Sequence, residues 1–252
     1  MKSSLIKTAS LIVCLTCLFI LFIPRSANSQ KGGEIEESLQ EFFIGETVYA
    51  QKKHETQLTS KPSFWKKEGL QIISIPIQVE YGFTDRFQVE LSLPYHFLFP
   101  KVGQNVNGIG NTEAGFLYAL LKDKKLALSV ALNVGLPTAN KTKNIDDPEV
   151  EWEPSLIVAR QIGRAQLHAA LSASLTKNES EFNYNLSTVV PFGDWRATLE
   201  LNGKINEGKM IYLTPGLLWK GLEDFEIGLG ASGSILEKTG GWGIVVMATF
   251  EF

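Results

Sequence analysis

The sequence predicts an all-β chain, a transmembrane antiparallel β-barrel of about twelve strands, preceded by a signal peptide and a short N-terminal periplasmic segment. Three observations carry this reading. Apolar and polar residues alternate with period two in one segment after another, down to Phe252. The segments run for about ten residues, the length that crosses a bilayer at a tilt of about 45°. Short and long connections alternate between them.

Residues 1–29 read as the signal peptide. Lys2 and Lys7 make the start positive, and Leu11–Ile23 is apolar apart from Cys and Thr. Ala27 and Ser29 hold the selective places of a small-residue cleavage site. As a helix the apolar run reaches about 20 Å, short of the roughly 30 Å of hydrocarbon that a retained anchor must span. Neither Cys14 nor Cys17 follows the small residue that a lipoprotein site needs. Both cysteines leave with the signal, so the mature chain has no disulfide, thiolate metal ligand or thiol nucleophile.

Residues 30–49 form the periplasmic segment. Ile35, Leu39, Phe42 and Phe43 fall on one helical face. This predicts a short helix that lies on the lower rim of the barrel or enters the lumen as a plug. The barrel is expected over residues 50–252.

Gln51–Ser60 is the weakest alternating segment and is mostly polar. Leu70–Tyr81 puts Ile73, Ile75, Ile77, Val79 and Tyr81 on one face. A turn at Gly82–Asp85 leads into Phe87–Phe97, where Phe87, Val89, Leu91, Leu93, Tyr95 and Phe97 oppose Gln88, Glu90, Ser92, Pro94 and His96. Leu126–Leu136 sets leucine and valine against Ala127, Ser129, Ala131, Asn133 and Gly135. Thr112–Leu121, Trp152–Ile162, Ala165–Leu175, Phe182–Phe192, Trp195–Ile205, Ile211–Trp219, Phe225–Ile235 and Trp242–Phe252 repeat the pattern. Pro76 and Pro215 interrupt it and predict bulges or open pairing, since proline donates no ladder hydrogen bond. The connections at Lys122–Lys125, Gly163-Arg164, Gly193-Asp194 and Lys220–Asp224 are short, whereas Phe97–Gly110 and Pro137–Val150 are long and polar. Aromatic residues, among them Tyr95, Trp152, Trp195, Trp219, Trp242 and Phe250, cluster at strand ends as two interfacial girdles. A secreted β-sandwich would need neither these girdles nor a terminal Phe252.

Charge narrows the function. The 24 Lys and Arg include Lys2, Lys7 and Arg25 of the signal, whereas all 27 acids stay in the mature chain. Such an acidic surface argues against a nucleic-acid partner. By parity the lumen receives Glu80, Arg86, Glu90, His96, Glu113, Glu153, His168, Arg196, Glu200, Lys204, Glu226 and Glu251. Of these, Glu90, His96, Glu113, Glu153, His168, Arg196, Glu200 and Lys204 are the candidate pore-lining residues. They could neutralise one another as charge pairs along the strands, or orient a solute at a constriction. Acids outnumber bases there, unlike the basic rings of an anion pore.

Enzymatic signatures are weak. Thr56, Leu98 and Ala170 stand two places after His54, His96 and His168, where an outer-membrane lipid hydrolase pairs its His with Ser. No metal-ligand spacing or nucleotide loop occurs, so neither metal nor cofactor is expected.

Glu80–Phe87 followed by Leu93-Pro94-Tyr95, Gly108–Gly115 and Val134–Thr138 resemble blocks of the outer-membrane transporter family named for the meta-cleavage pathway of phenol degradation. Asn111 stands where that pattern has Asp, and Ala139 where it often has Gly. The C-terminal Thr249–Phe252 is similar to the signal read by the barrel-assembly machinery, which makes Phe252 the contact to that partner. The resemblance implies a Gram-negative outer-membrane channel that passes small solutes, often aromatic or apolar, by passive diffusion. Its partners are then the solute and outer-membrane lipid. The alternatives are an adhesin or structural barrel acting through its loops, and an outer-membrane lipid hydrolase.

Overall fold

Because successive side chains of a strand point to opposite sides, a closed sheet sorts the alternating sequence into an apolar outside and an inward face. The computed structural model describes residues 37–140, 145–146, 148–205, 211–222, 224–236 and 240–252 and shows this sorting. The strands are β1 (Thr56–Ser60), β2 (Ser63–Lys67), β3 (Leu70–Thr84), β4 (Phe87–Pro100), β5 (Val106–Ile109), β6 (Thr112–Lys122) and β7 (Leu126–Leu136). They continue as β8 (Glu151–Ile162), β9 (Ala165–Leu175), β10 (Ser180–Phe192), β11 (Trp195–Lys204), β12 (Ile211–Leu222), β13 (Phe225–Ser234) and β14 (Trp242–Glu251).

Every pairing is antiparallel, and β1 closes the ring by pairing with β14 on one side and β3 on the other. β2 continues β1 between the same two neighbours, and β5 and β6 both pair with β4. The fourteen segments therefore build a twelve-stranded barrel, with two of its strands broken. One rim carries tight turns, such as Gly163-Arg164 and Gly193-Asp194; the other carries the connections after β2, β4, β7, β9, β11 and β13.

The outer face is apolar. Ile77 is 54% exposed, Leu91 55% and Leu229 57%. Half-exposed Leu and Ile side chains of this kind each forgo on the order of 1 kcal/mol in water, a loss that lipid contact removes. Aromatic pairs belt both edges. Tyr95 and Phe97 lie 5.0 Å apart on the long-loop side; Phe250 and Phe252 lie 5.8 Å apart on the short-turn side.

Several boundaries differ from the sequence reading. The first strand begins at Thr56 rather than Gln51 and breaks at Lys61-Pro62. Pro76 sits opposite that break, where its carbonyl accepts the Ser60 hydroxyl at 2.7 Å. Pro215 keeps its register with β11, while the β12–β13 ladder skips Thr214 and Pro215. The expected turn at Gly82–Asp85 is the end of β3, which runs to Thr84 through a register shift. The short strand β5 lies within the predicted loop Phe97–Gly110. The signal peptide and Ile35 lie outside the described residues.

Residues 37–55 form no helix. They enter the lumen from the short-turn rim, rise to Gly45-Glu46, and descend to the same rim before β1. The apolar residues of this strap face two walls rather than one. Leu39, Phe42 and Phe43 pack with Val189, Leu218, Val245 and Met247; Val48 and Ala50 pack with Leu117, Ala119, Ala127, Ile157 and Ala159. Two opposed apolar surfaces draw the segment out into two arms, which one helical face could not satisfy.

Candidate functional site: the occluded lumen

The strap divides the lumen. Its lower half is filled by strap and wall side chains, and its upper half is a vestibule. Extended backbone inside a barrel leaves N–H and C=O groups unpaired, and each needs a partner. The wall supplies them. Glu200 is fully buried; its Oε1 accepts the Phe43 N–H at 2.9 Å, and its Oε2 accepts those of Ile44 at 3.1 Å and Gly45 at 2.8 Å. Arg196 donates through Nε to the Ser38 carbonyl at 2.9 Å and through Nη1 to the Gly193 carbonyl at 3.0 Å. Ser129 donates to the Val48 carbonyl at 2.6 Å, and Gln88 accepts the Gln51 N–H at 2.8 Å.

Side chains of the strap are held as well. Glu46 receives Asn133 at 2.8 Å and Ser155 at 2.9 Å, and Glu41 receives the Lys61 ammonium at 2.8 Å. Tyr49 donates to Gln166. His168 packs edge-on to Phe42 at 4.9 Å and to Tyr49 at 5.8 Å, and among the described residues neither of its ring nitrogens has a hydrogen-bond partner. The descending arm crosses β3 at Gly82, where the His54 N–H donates to the Gly82 carbonyl at 2.8 Å.

Above the strap lie two lobes. One, of about 380 Å³, is lined by His96, Glu113, Asp146, Glu149 and Glu151. The other, of about 350 Å³, is lined by Gly45 and Glu46 of the strap with Lys67, Glu153, Lys204 and Tyr212. Asp146 dips in from the β7–β8 connection, 3.5 Å from His96 Nε2, and accepts the Asn111 N–H at 2.7 Å. Burial alone would raise the Asp146 pKa, but hydrogen bonds from His96 and the Asn111 N–H outweigh it and hold the carboxyl below its usual range. The break at Gly110 makes room, since a Cβ there would stand 2.5 Å from Asp146 and 2.6 Å from His96. Asn111 Oδ1 accepts the Ala139 N–H at 3.1 Å, so the two departures from the resembled family pattern bond to each other.

All eight sequence-predicted residues lie on the inward parity, but they form three groups instead of one constriction. Glu90, His168, Arg196 and Glu200 are at strap level. His96 and Glu113 share the first lobe, and Glu153 and Lys204 the second. Glu90 is pressed against Gly115, where a Cβ would meet its Cγ at 2.2 Å. The charge pairs envisaged along strands do not form. Arg196 bonds to carbonyls, Glu200 to strap amides, and Lys204 to Glu181 on the adjacent strand. Residues four apart on one strand are about 13 Å apart, too far to pair, whereas a cross-strand neighbour is near. Glu80 likewise receives Gln78 at 2.7 Å and Gln88 at 2.8 Å, while Arg86 stays exposed on its turn.

Sequence reasoning missed Glu41, Glu46, Lys61, Asp146 and Glu181. Only Glu181 had a legible signal, since it shares the inward parity of Asn183 and Asn185. Among the described residues no group of three or more His, Cys, Asp or Glu could hold a metal ion.

Compared by sequence, the chain matches no protein-family model and no curated relative. Compared by structure, it is similar to the COG4313 outer membrane channel from Pseudomonas putida F1, with a TM-score of 0.61 at 10% identity over 81% of this chain and 98% of that one. It is also similar to the KdgM porin, with a TM-score of 0.57 at 10% identity over 78% and 99%. The NanC porin gives 0.54 at 6% identity over 77% and 98%. A second KdgM structure, with a TM-score of 0.54 at 10% identity over 79% and 99%, is a complex with disordered oligogalacturonate. The shared feature is the fold, an outer-membrane β-barrel.

Proposed function

We propose that the protein is a passive outer-membrane channel for small solutes, closed at rest by its own N-terminal strap. The observation that carries this reading is the vestibule: two lobes of about 380 and 350 Å³ inside a closed barrel, the second lined by Ile44, Gly45 and Glu46 of the strap as well as by the wall. A filled barrel needs no such space, and a strap held by side-chain packing and by hydrogen bonds to wall side chains, outside the strand ladders, can leave without breaking the sheet. The barrel folds of the three similar channels support the same class.

On this reading residues 1–29 direct export, the short-turn rim is periplasmic, and Phe252 is read by the barrel-assembly machinery. Glu90, His96, Glu113, Glu153, His168, Arg196, Glu200 and Lys204 line the path once the strap withdraws. Carboxylates outnumber cations along it, so a polyanion such as the oligogalacturonate of the KdgM complex is disfavoured. Neutral or cationic small solutes, aromatic ones among them, fit better.

The test is swelling of liposomes that contain the refolded mature chain, with graded neutral sugars, phenol, benzoate and a fatty acid, beside empty liposomes. Uptake above the empty control, faster after deletion of residues 30–45, is expected. Absence of uptake by both proteins would overturn the channel and leave a barrel that acts through its loops.

A further inference from the structure

We propose that the barrel wall beneath Phe43 is a binding subsite for an aromatic ring with an ammonium group two carbons away, and that Phe43 of the strap occupies it when no solute is bound. This deepens the channel reading and rests on it only for how a solute reaches the subsite.

The wall is indented at one patch. Gly216 on β12 is the cross-strand partner of Gly230 on β13, and Leu218 is the partner of Gly228. All face inward. A Cβ at Gly216 would stand 2.1 Å from the Phe43 ring, and those at Gly228 and Gly230 would each stand 2.9 Å from it. Any side chain at these positions would collide with the ring, so the absence of three side chains leaves a slot as deep as a Cβ and as broad as a phenyl group. A tight turn does not explain these glycines, for none of the three has positive φ.

The slot has a polar edge on β11. Glu200 accepts the N–H of Phe43 at 2.9 Å, with those of Ile44 and Gly45 beside it. A single buried carboxylate thus meets three N–H donors, the number that one primary ammonium group offers. In Phe43 the nitrogen and the ring are joined by Cα and Cβ, which is the skeleton of a 2-arylethylammonium ion. Thr198, the cross-strand partner of Gly216, is 5% exposed, and its Oγ1 has no hydrogen-bond partner among the described residues. That oxygen lies 2.6 Å from where a Gly216 Cβ would be, so it faces the slot as an unused acceptor. Polar groups buried at this depth are normally satisfied, and an ammonium group beside the ring would satisfy this one. A cation over an aromatic-sized slot with one carboxylate also avoids leaving Glu200 unpaired when the strap departs.

The experiment is calorimetric titration of the full mature chain in detergent with 2-phenylethylammonium chloride. Phe43→Ala empties the ring slot and leaves only the backbone N–H groups of residues 43–45 for the amine to displace from Glu200. It should bind the amine about tenfold or more tightly than the parent chain does, and should bind 2-phenylethanol and benzoate about tenfold or more weakly than the amine. Adding Glu200→Gln should remove the preference for the amine. Adding Gly216→Val should abolish binding of all three compounds by filling the slot. Equal affinity for amine, alcohol and acid, an unchanged affinity in the Gly216→Val background, or no binding by a Phe43→Ala protein that still shows the heat-modifiable gel mobility of a folded barrel would each overturn the proposal. Binding in detergent needs no conduction, so failure here leaves sugar uptake as an independent test of the channel.

Discussion

Glu200 Oε2 lies 2.8 Å from the backbone nitrogen of Gly45, at the top of the ascending arm of the strap. The same carboxylate serves Phe43 and Ile44, so one wall side chain fixes the apex of the plug. Glu200→Gln keeps an acceptor but replaces the other oxygen with a donor that faces backbone N–H groups. Hydrogen bonds to a charged group contribute about 1.5–3 kcal/mol each. The variant is expected to release the strap roughly ten- to a hundredfold more often and to raise sugar uptake in the liposome assay. Unchanged uptake would remove Glu200 as the latch.

Glu41 and Lys61 meet at 2.8 Å between the strap and the break in the first barrel strand, with both side chains mostly shielded from solvent. Glu41→Gln should loosen the strap by about 1–3 kcal/mol, because it leaves a shielded ammonium without its counter-charge. Lys61→Met should cost less, and the double variant less than the sum. A double-mutant cycle read by hydrogen exchange of the strap amides checks this. Strict additivity would mean that the two groups do not couple.

Strap docking should weaken as pH rises. Burial, then the nearby Glu251 carboxylate, pushes the Glu37 carboxyl at the short-turn rim from 4.5 up to about 8. A carboxyl raised on docking binds its proton more tightly when docked. Its contribution is therefore fully present below about pH 4.5 and lost as pH climbs through about 8. Exchange of the strap amides, corrected for intrinsic rate, should quicken between pH 5 and 9, and Glu37→Gln should flatten that rise. A rise of equal size in Glu37→Gln would assign it to another group.

Gly82→Ala should destabilise the chain more than Gly69→Ala. A Cβ at Gly82 would stand 2.0 Å from the Lys52 carbonyl oxygen, a clash of backbone against side chain that only movement of the strap or of β3 can relieve. Gly69 has φ of 78° but open space around its Cβ position, so alanine there meets only the left-handed penalty of about 1–2 kcal/mol. Thermal unfolding followed by gel mobility should rank the two variants in that order. The reverse order would show that the strap does not bear on Gly82.

Much of the barrel is legible in the sequence because lipid and lumen impose one period on every strand. Leu91 and Ile227 face out, and Glu200 and His168 face in, by parity alone. The partners of those inward residues are not legible. Phe43 and Glu200 are 157 positions apart, and no local pattern links them. The helical spacing of Ile35, Leu39, Phe42 and Phe43 also misled. Leu39, Phe42 and Phe43 do share a surface, but that surface belongs to β10, β12 and β14, and the chain reaches it extended. The short strands β2 and β5 beyond the breaks at Lys61-Pro62 and Gly110-Asn111 escape an alternation count, since four or five residues are too few to establish a period. The inward leucines Leu117 and Leu218 are hidden for a related reason: an apolar lumen residue reads as noise on the polar face until something is known to cover it.

The place where the sheet closes has a mechanical corollary. The seam joins the first and last strands of the barrel, Gln57 against Glu251 and Leu58 against Phe250, with the five-residue β1 on one side. These are the contacts of greatest sequence separation, so their loop-closure cost is the highest in the wall. The strap is tethered to that seam through residues 52–55, where the Thr56 N–H donates to the Phe252 carbonyl at 2.9 Å and the Phe252 N–H returns the bond at 2.9 Å. If the strap withdraws as proposed, the pull falls on the β1–β14 seam, where the two bonds between Thr56 and Phe252 hold its lower end to the wall.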